Sequence, residues 1–351
     1  MLILITDRPS NNGYIKLLID AYKECGHTVV CDVNNFFESN ISPDVVHIHW
    51  PERLNHWYPL KGVDVSAHHA LIRRRIRDFK AKGSKIVHTV HNLRPHSIAG
   101  ENVTDDTYDL VMSEADVLVH HCERSIELAG KLYSSSTSAQ NIVCHHGPYK
   151  NDFIEIDSCV AKEKLGVDRD AFVILSFGVQ RPHKNEHFIE EVYSSLAVPN
   201  KLLIAAGKFE FPTETKARIF YKIRNWLRSK NFVSGYRYMY GDISSEDLPY
   251  VLSAADVVFL GHSHGLNSGV LAMAATYSKM VVYPDIGCFA EALEGFPAEP
   301  YSVSDKFEAK AAIERAHSRI CSKEAISNDD WVKFTSWKSH VEKIMNAVSG
   351  D

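Results

Sequence analysis

The sequence predicts an α/β protein made of two Rossmann-like, doubly wound parallel-sheet domains facing a cleft. Three observations carry this expectation. Short apolar runs alternate with amphipathic stretches along the whole chain; polar or glycine-bearing turns follow the runs; and the alternation pauses once, around 149–157, before starting again. At 351 residues the chain has the length of two domains, each able to enclose its own core. The expected organisation is an N-terminal domain over 1–155, a C-terminal domain over 156–329, and a closing helix over 330–351. That last segment carries Trp331, Phe334 and Trp337 at helical spacing and is expected to pack back on the first domain.

Composition is that of an ordinary globular protein, 45% hydrophobic and 24% charged, with a formal net charge of −5. Nothing is basic enough for a dedicated nucleic-acid binder. No run approaches the ~18 apolar residues of a membrane span, and the apolar run after Met1 is too short for a signal peptide. The expectation is therefore a cytoplasmic protein whose membrane contact, if it makes one, is peripheral on the inner face. Seven cysteines are scattered without C-x-x-C spacing and read as reduced thiols.

In chain order, a strand over Leu2–Ile5 leads into a polar turn and a helix over about 14–25. Asp7, Arg8, Asn11, Asn12 and Gly13 then stand at the carboxyl end of strand one, where open parallel sheets bind ligands. Strands follow at 28–33 and 45–49, the latter ending in His47, His49 and Trp50, with Pro51 expected to stop it and Glu52 to open a loop. An arginine-rich helix spans 71–82. The strand at 85–91 runs into His91 and Asn92; a helix at 108–114, a strand at 116–120, a helix at 123–132 and a strand at 141–145 complete the series. The last of these strands ends in His146-Gly147-Pro148-Tyr149, an inter-domain strand end that makes His146 and Tyr149 candidates for a cleft role.

After a short helix at 160–166, a second series opens with strand 172–177 and Gly178 to Asn185. A helix to about 195 follows, then strand 201–206 before Gly207-Lys208. A long helix at 215–230, strand 236–240 before Gly241-Asp242, and a helix at 245–254 come next. The stretch from 256 to 287 reads as one βαβ unit: strand 256–260, a Gly/Asn/Ser loop, a small-residue helix at 270–277 and strand 280–283. The free N–H groups and positive dipole end of such a helix suit an anion, so Asn267, Ser268 and Gly269 are candidate seats; a plain N-cap is the other reading. Arg181 and Lys184 add two cations three residues apart. Together with Gly178, Gly207, Lys208, Gly241 and Asp242, all following strands on one sheet edge, they fit a diphosphate, which takes several charge-assisted bonds.

Five motifs in order, D-V-V-H-I-H-W (44–50), T-V-H-N-L-R-P-H (89–96), S-F-G-V-Q-R-P-H-K (176–184), A-A-G-K (205–208) and A-A-D-V-V-F-L…N-S-G-V-L-A-M-A…P-D-I-G (254–287), resemble those of GT-B glycosyltransferases, in particular glycosyltransferase family 4 and related bacterial exopolysaccharide and capsule enzymes. The resemblance implies a nucleotide-sugar donor in the C-terminal domain and an acceptor on the N-terminal side. Arg181 and Lys184 would stabilise the departing diphosphate, so that no metal and no other cofactor is required. It also makes His91 the cleft histidine that reaches sugar or acceptor. One departure stands out: the family's Glu-x7-Glu pair falls on His264 and Ala272, leaving donor sugar and stereochemical course open.

If configuration is inverted, a carboxylate must take the acceptor hydroxyl's proton; Glu52 is the first candidate and Asp7 the second. His47 and His49 share a strand face, but no Cys or carboxylate at ligand spacing completes a metal site. The Arg73–Arg77 cluster and the basic face of 216–230 read either as solvated charge or as contacts to anionic lipid. The function expected is transfer of a hexose from a UDP- or GDP-sugar to a hydroxyl of a saccharide or lipid-linked saccharide in surface polysaccharide assembly. The alternatives are a GT-B sugar-nucleotide epimerase and a non-catalytic sugar-nucleotide-binding subunit.

Overall fold

The structure, a computed structural model, describes residues 1–8, 12–57, 64–95, 105–133, 138–149, 154–208, 219, 222–223, 226 and 235–350. Asn11 and most of the expected helix over 215–230 lie outside the described residues. The chain divides into two compact units, Met1–Gly147 with Phe334–Asp351, and Pro148–Lys333. Each is built on a six-stranded, wholly parallel sheet.

In the first unit the strands are β1 (Leu2–Ile5), β2 (Thr28–Cys31), β3 (Val45–Ile48), β4 (Lys85–Thr89), β5 (Val117–His120) and β6 (Gln140–Val143), in the order β2-β1-β3-β4-β5-β6. β3 and β5 are buried at every position, as strands covered on both faces require. One face is covered by α1 (Gly13–Glu24), whose Tyr14, Ile15, Leu18 and Tyr22 join Ile3, Ile5, Val87 and Val119 in one cluster. The other is covered by α2 (Val33–Phe37), α3 (Pro51–Trp57), α4 (Val65–Ala81) and α5 (Asp106–Glu114), with Phe36, Leu54, Ile72, Ile76 and Leu110 against Leu4, Val46 and Ile86. α6 (Glu123–Leu132) follows β5.

In the second unit α7 (Ser158–Lys164) precedes β7 (Phe172–Phe177). Then come α8 (Glu186–Ser195), β8 (Lys201–Gly207), β9 (Tyr236–Tyr240), α9 (Leu248–Ala254), β10 (Val257–Phe259), α10 (Gly269–Thr276) and β11 (Met280–Pro284). The series closes with α11 (Phe289–Ala292), β12 (Ala298–Tyr301), α12 (Lys306–Cys321) and α13 (Asp329–Phe334). Strand order is β12-β11-β10-β7-β8-β9. α8 and α12 bury Phe188, Ile189, Val192, Ala309, Ala312 and Ile313 against Ile174, Leu203, Val257 and Val282.

Helix starts follow local chemistry: Asn12, Asp32, Asp64, Asp105, Asp157 and Asp305 each accept first-turn N–H groups as N-caps. Two expectations are corrected. The strand ends before Pro51 as expected, but Glu52 does not open a loop: Pro51 is the first residue of α3, where its missing N–H costs nothing, and Glu52 stands in that helix's first turn. The closing helix is two: after α13 the chain breaks at Thr335-Ser336 and resumes as α14 (Trp337–Ser349). Trp331 is buried in the second unit, donating to the Ala292 carbonyl at 2.8 Å, whereas α14 packs on α1, β5 and β6 of the first. Finally, Cys25, Cys31, Cys144, Cys159 and Cys321 are free thiols.

Candidate functional site

In the second sheet the chain winds from β7 outward through β8 and β9, then returns to the other side of β7 for β10, β11 and β12. The crevice at such a reversal, beyond the strand carboxyl ends, is where doubly wound sheets bind ligands. The loops after β7 and β10 flank it. After β7, Gly178 turns at φ +100° and Pro182–Lys184 forms a single 3₁₀ turn begun by the extended Arg181. This turn swings Lys184 back so that its ammonium donates to the Phe177 carbonyl at 3.0 Å. A Cβ on Gly178 would lie 2.6 Å from Lys184 Nζ and 3.4 Å from Val270 Cγ2. Lysine, glycine and the first turn of α10 thus meet at one point.

At α10 the preceding Ser268 makes no side-chain cap; of the first-turn N–H groups, that of Leu271 donates to the Ser268 carbonyl at 3.1 Å. The rest of the helix, Leu271–Thr276, is buried, and only its N-terminus reaches the sheet edge. Ser263 N–H donates to the His183 carbonyl at 2.8 Å, tying the β10 loop to the 3₁₀ turn. Gly207, at φ +138°, would place a Cβ 2.1 Å from the Gly178 carbonyl oxygen. The backbone beside the crevice is packed to contact there. Arg181, Lys184, Asn267 and Ser268 are half-buried and Gly269 exposed, whereas Lys208 and Asp242 stand in solvent 4.0 Å apart, a pair of little energetic weight. Of the expected donor residues, Gly178, Lys184 and Gly207 are brought together beside Val270 of α10's first turn; Lys208 follows β8 with its carbonyl accepting the Gln180 N–H at 2.7 Å, and Gly241 and Asp242 follow β9. His264 is exposed beside Ser263 Oγ, and Ala272 is buried. A groove of about 600 Å³ between α8 and α12, lined by His187, Glu190, Tyr236 and Phe307 among others, shares no residue with this crevice.

The first unit gathers a different chemistry at the carboxyl ends of its strands. His49, His91 and His121 follow β3, β4 and β5 on one face, with Tyr14 over them: its ring centroid is 5.7, 4.7 and 5.6 Å from theirs. Trp50 stacks on His91 at 4.5 Å, and Arg53 lies 3.9 Å above Trp50. His146 and α14's Trp337 and His340 close the group. Burial pushes the imidazoles far below their usual range, to about 4 for His121 and about 3 for His146, and His49 and His91 also well below it. These rings are neutral at physiological pH.

The two candidate bases differ. Asp7 is buried and bound to Arg53 at 2.6 Å and to the Arg8 N–H at 2.8 Å; burial raises its pKa against the pull of Arg53. Glu52 is half-buried, accepts the Tyr108 hydroxyl at 2.8 Å, and is likewise raised by burial. Asn12 spends its side chain capping α1, where Gly13 is the first residue. Asn92 is half-buried beside His91, and Tyr149 belongs to the second unit, its N–H donating to Thr276 Oγ1 at 3.0 Å. His47 has both ring nitrogens occupied, by the Tyr22 hydroxyl at 3.0 Å and Thr89 Oγ1 at 2.8 Å, and cannot ligate a metal. Among the described residues no cluster of three His, Cys, Asp or Glu side chains is arranged to hold a metal ion.

Two doubly wound six-stranded parallel sheets with flanking helices define the GT-B class of α/β fold. The chain is similar along its whole length to solved structures of that class. Sucrose-phosphate synthase from Thermosynechococcus elongatus is 14% identical, with a TM-score of 0.72 over 98% of this chain and 97% of the other. HepE from Anabaena, solved in complex with UDP and glucose, is 13% identical with a TM-score of 0.69 over 100% and 99%. An α,α-trehalose-phosphate synthase (UDP-forming) from Burkholderia xenovorans, in complex with glucose-6-phosphate, is 11% identical with a TM-score of 0.65 over 99% and 100%. No protein-family model and no curated protein matches the sequence.

Proposed function

We propose that the protein is a metal-independent glycosyltransferase that moves a hexose from a nucleoside diphosphate sugar to a hydroxyl of a saccharide or lipid-linked saccharide. The observation that carries this reading is the meeting of Lys184, Gly178 and the uncapped N-terminus of α10 at the switch point of the second sheet. A diphosphate seated there receives backbone N–H donors and an ammonium while it leaves, and those fixed charges favour the transition state over the ground state. Arg181, at the start of the same turn, supplies the second cation. UDP is favoured over GDP because the similar structures include a UDP complex and a UDP-forming enzyme. The first unit presents the acceptor, with His91 as sugar-side contact and Glu52, raised by burial, better suited than the Arg53-bound Asp7 to take a hydroxyl proton.

The setting proposed is surface polysaccharide assembly, on the motif resemblance. Peripheral contact with anionic lipid draws on exposed Arg73 and Arg74. Arg75 and Arg77 are engaged instead, with the Phe36 carbonyl and Glu114. No helix among the described residues is long and apolar enough to cross a membrane.

The reading is tested by product analysis with UDP-glucose and GDP-mannose, with and without an oligosaccharide acceptor. Nucleoside diphosphate release that depends on acceptor and yields a longer saccharide is the expected result. Conversion of the donor to an isomer without acceptor would identify an epimerase, and binding without turnover under every acceptor a non-catalytic subunit.

A further inference from the structure

Three imidazoles in the first unit are joined end to end. His49 Nδ1 is 3.1 Å from His91 Nε2, His91 Nδ1 is 3.4 Å from His121 Nε2, and His121 Nδ1 is 2.9 Å from the Cys144 carbonyl oxygen. A carbonyl only accepts, so His121 carries its proton on Nδ1 and presents Nε2 as an acceptor. His91 must then donate from Nδ1 to His121, which leaves its Nε2 to accept; His49 must in turn donate from Nδ1 to His91. One carbonyl thereby sets the tautomer of three rings, and the polarity ends at His49 Nε2. That nitrogen is a buried lone pair with no hydrogen-bond partner among the described residues, on a side chain 2% exposed. A histidine side chain in water prefers the Nε2–H tautomer, so three Nδ1–H rings in sequence are a property of this fold.

From this geometry we infer that His49 and His121 are positioning residues for His91, holding its ring in a single tautomer and orientation at the carboxyl edge of the first sheet. The inference rests on the reading of His91 as the sugar-side contact, made through its ring C–H edge because both ring nitrogens are engaged in the relay. Each side of the ring is constrained: Trp50 stacks on it with 14° between the planes, and Tyr14 meets it edge-on at 88°. Rotation about its side-chain bonds breaks both imidazole bonds at once. Burial keeps the rings neutral, so the unit orients through hydrogen bonds and not through charge.

The test uses the full chain, ligand-free, with histidine ¹⁵N label and long-range ¹H–¹⁵N correlation at pH 7.5; His→Gln variants assign the rings. Protonated Nδ1 and unprotonated Nε2 are expected on His49, His91 and His121, and an Nε2–H tautomer on any of them overturns the relay. In His121→Gln the side-chain amide can still donate to the Cys144 carbonyl while its oxygen accepts from His91. In His121→Leu it can do neither. With UDP-glucose and acceptor, kcat is expected to fall at least about tenfold in the leucine variant and to stay within about threefold in the glutamine variant, with UDP affinity unchanged in both. The His91 signals are expected to lose their single tautomer only with leucine. A leucine variant that folds, keeps kcat and shows the wild-type tautomer at His91 overturns the positioning role. If the wild-type protein shows the three tautomers but transfers no sugar, it is the transferase reading that fails, and the positioning role with it.

Discussion

Between pH 7 and pH 5 the first unit is expected to unfold while the second keeps its structure. His47, His88, His120 and His121 are buried, and burial lowers their pKa values to about 3, 4, 4 and 4. In the unfolded chain each titrates near 6.5. A group whose folded pKa is depressed stabilises the fold fully above the unfolded pKa, and that contribution is lost as pH falls toward the folded value. At pH 5 the loss is roughly 1.5 units, or about 2 kcal/mol, per ring. Four rings lose about 8 kcal/mol, comparable with the whole stability of a domain, about 5–15 kcal/mol. Asp7 and Glu52, raised by burial, act in the opposite direction, but they are two against four. His27, His47, His49, His88, His91, His120, His121, His146 and His340, all lowered by burial, lie in the first unit, whereas His262 is the one buried imidazole described in the second. Hydrogen exchange read by peptide across pH 7.5 to 4.5 should therefore show protection collapsing in residues 1–147 and 337–349 near pH 5–6. Protection retained there at pH 4.5 would mean the rings are already charged, or solvated, in the fold.

Substituting Gly207 by alanine is expected to cost about 2–6 kcal/mol and to abolish nucleotide binding. Two terms add. At φ +138° an L side chain is strained by about 1–3 kcal/mol, and a Cβ 2.1 Å from the Gly178 carbonyl forces backbone apart for about 1–3 kcal/mol more. Gly241 is the internal control: it has the same φ of +138° but nothing within 4 Å of its would-be Cβ. Gly241→Ala should show the strain alone. Urea denaturation of both variants isolates the packing term, and equal losses would remove the close approach of β8 to the Gly178 turn from the account.

Much of this was legible in the sequence. The strands up to β11 fall within about two residues of their expected places, because buried parallel strands read as short apolar runs between turns. β12 escaped notice, since Ala298-Glu299-Pro300-Tyr301 is hardly an apolar run. α12 also escaped: its core face is made of Ala309, Ala312, Ile313 and Ala316, a weak hydrophobic signal. Pro51 was read as a stop when, after a strand and before Glu-Arg-Leu, it equally marks a first helical turn. The donor crevice was visible because each of its residues follows a strand. The imidazole relay was not, since its members are 42 and 30 residues apart. The clue lay in strand ends written H-I-H, H-T-V-H and H-H, whose alternate residues fall on one face once the strands are set side by side.

Calorimetric titration of the protein with UDP, in parallel with Lys184→Ala and Arg181→Ala, tests the diphosphate seat most directly. A charge-assisted bond to phosphate contributes about 1.5–3 kcal/mol, so each variant should bind UDP about 10- to 100-fold more weakly than wild type, and uridine itself should bind all three alike. UDP affinity untouched by either substitution, or no UDP or GDP binding to the wild-type protein, would contradict the assignment of the β7–β10 crevice as the donor site.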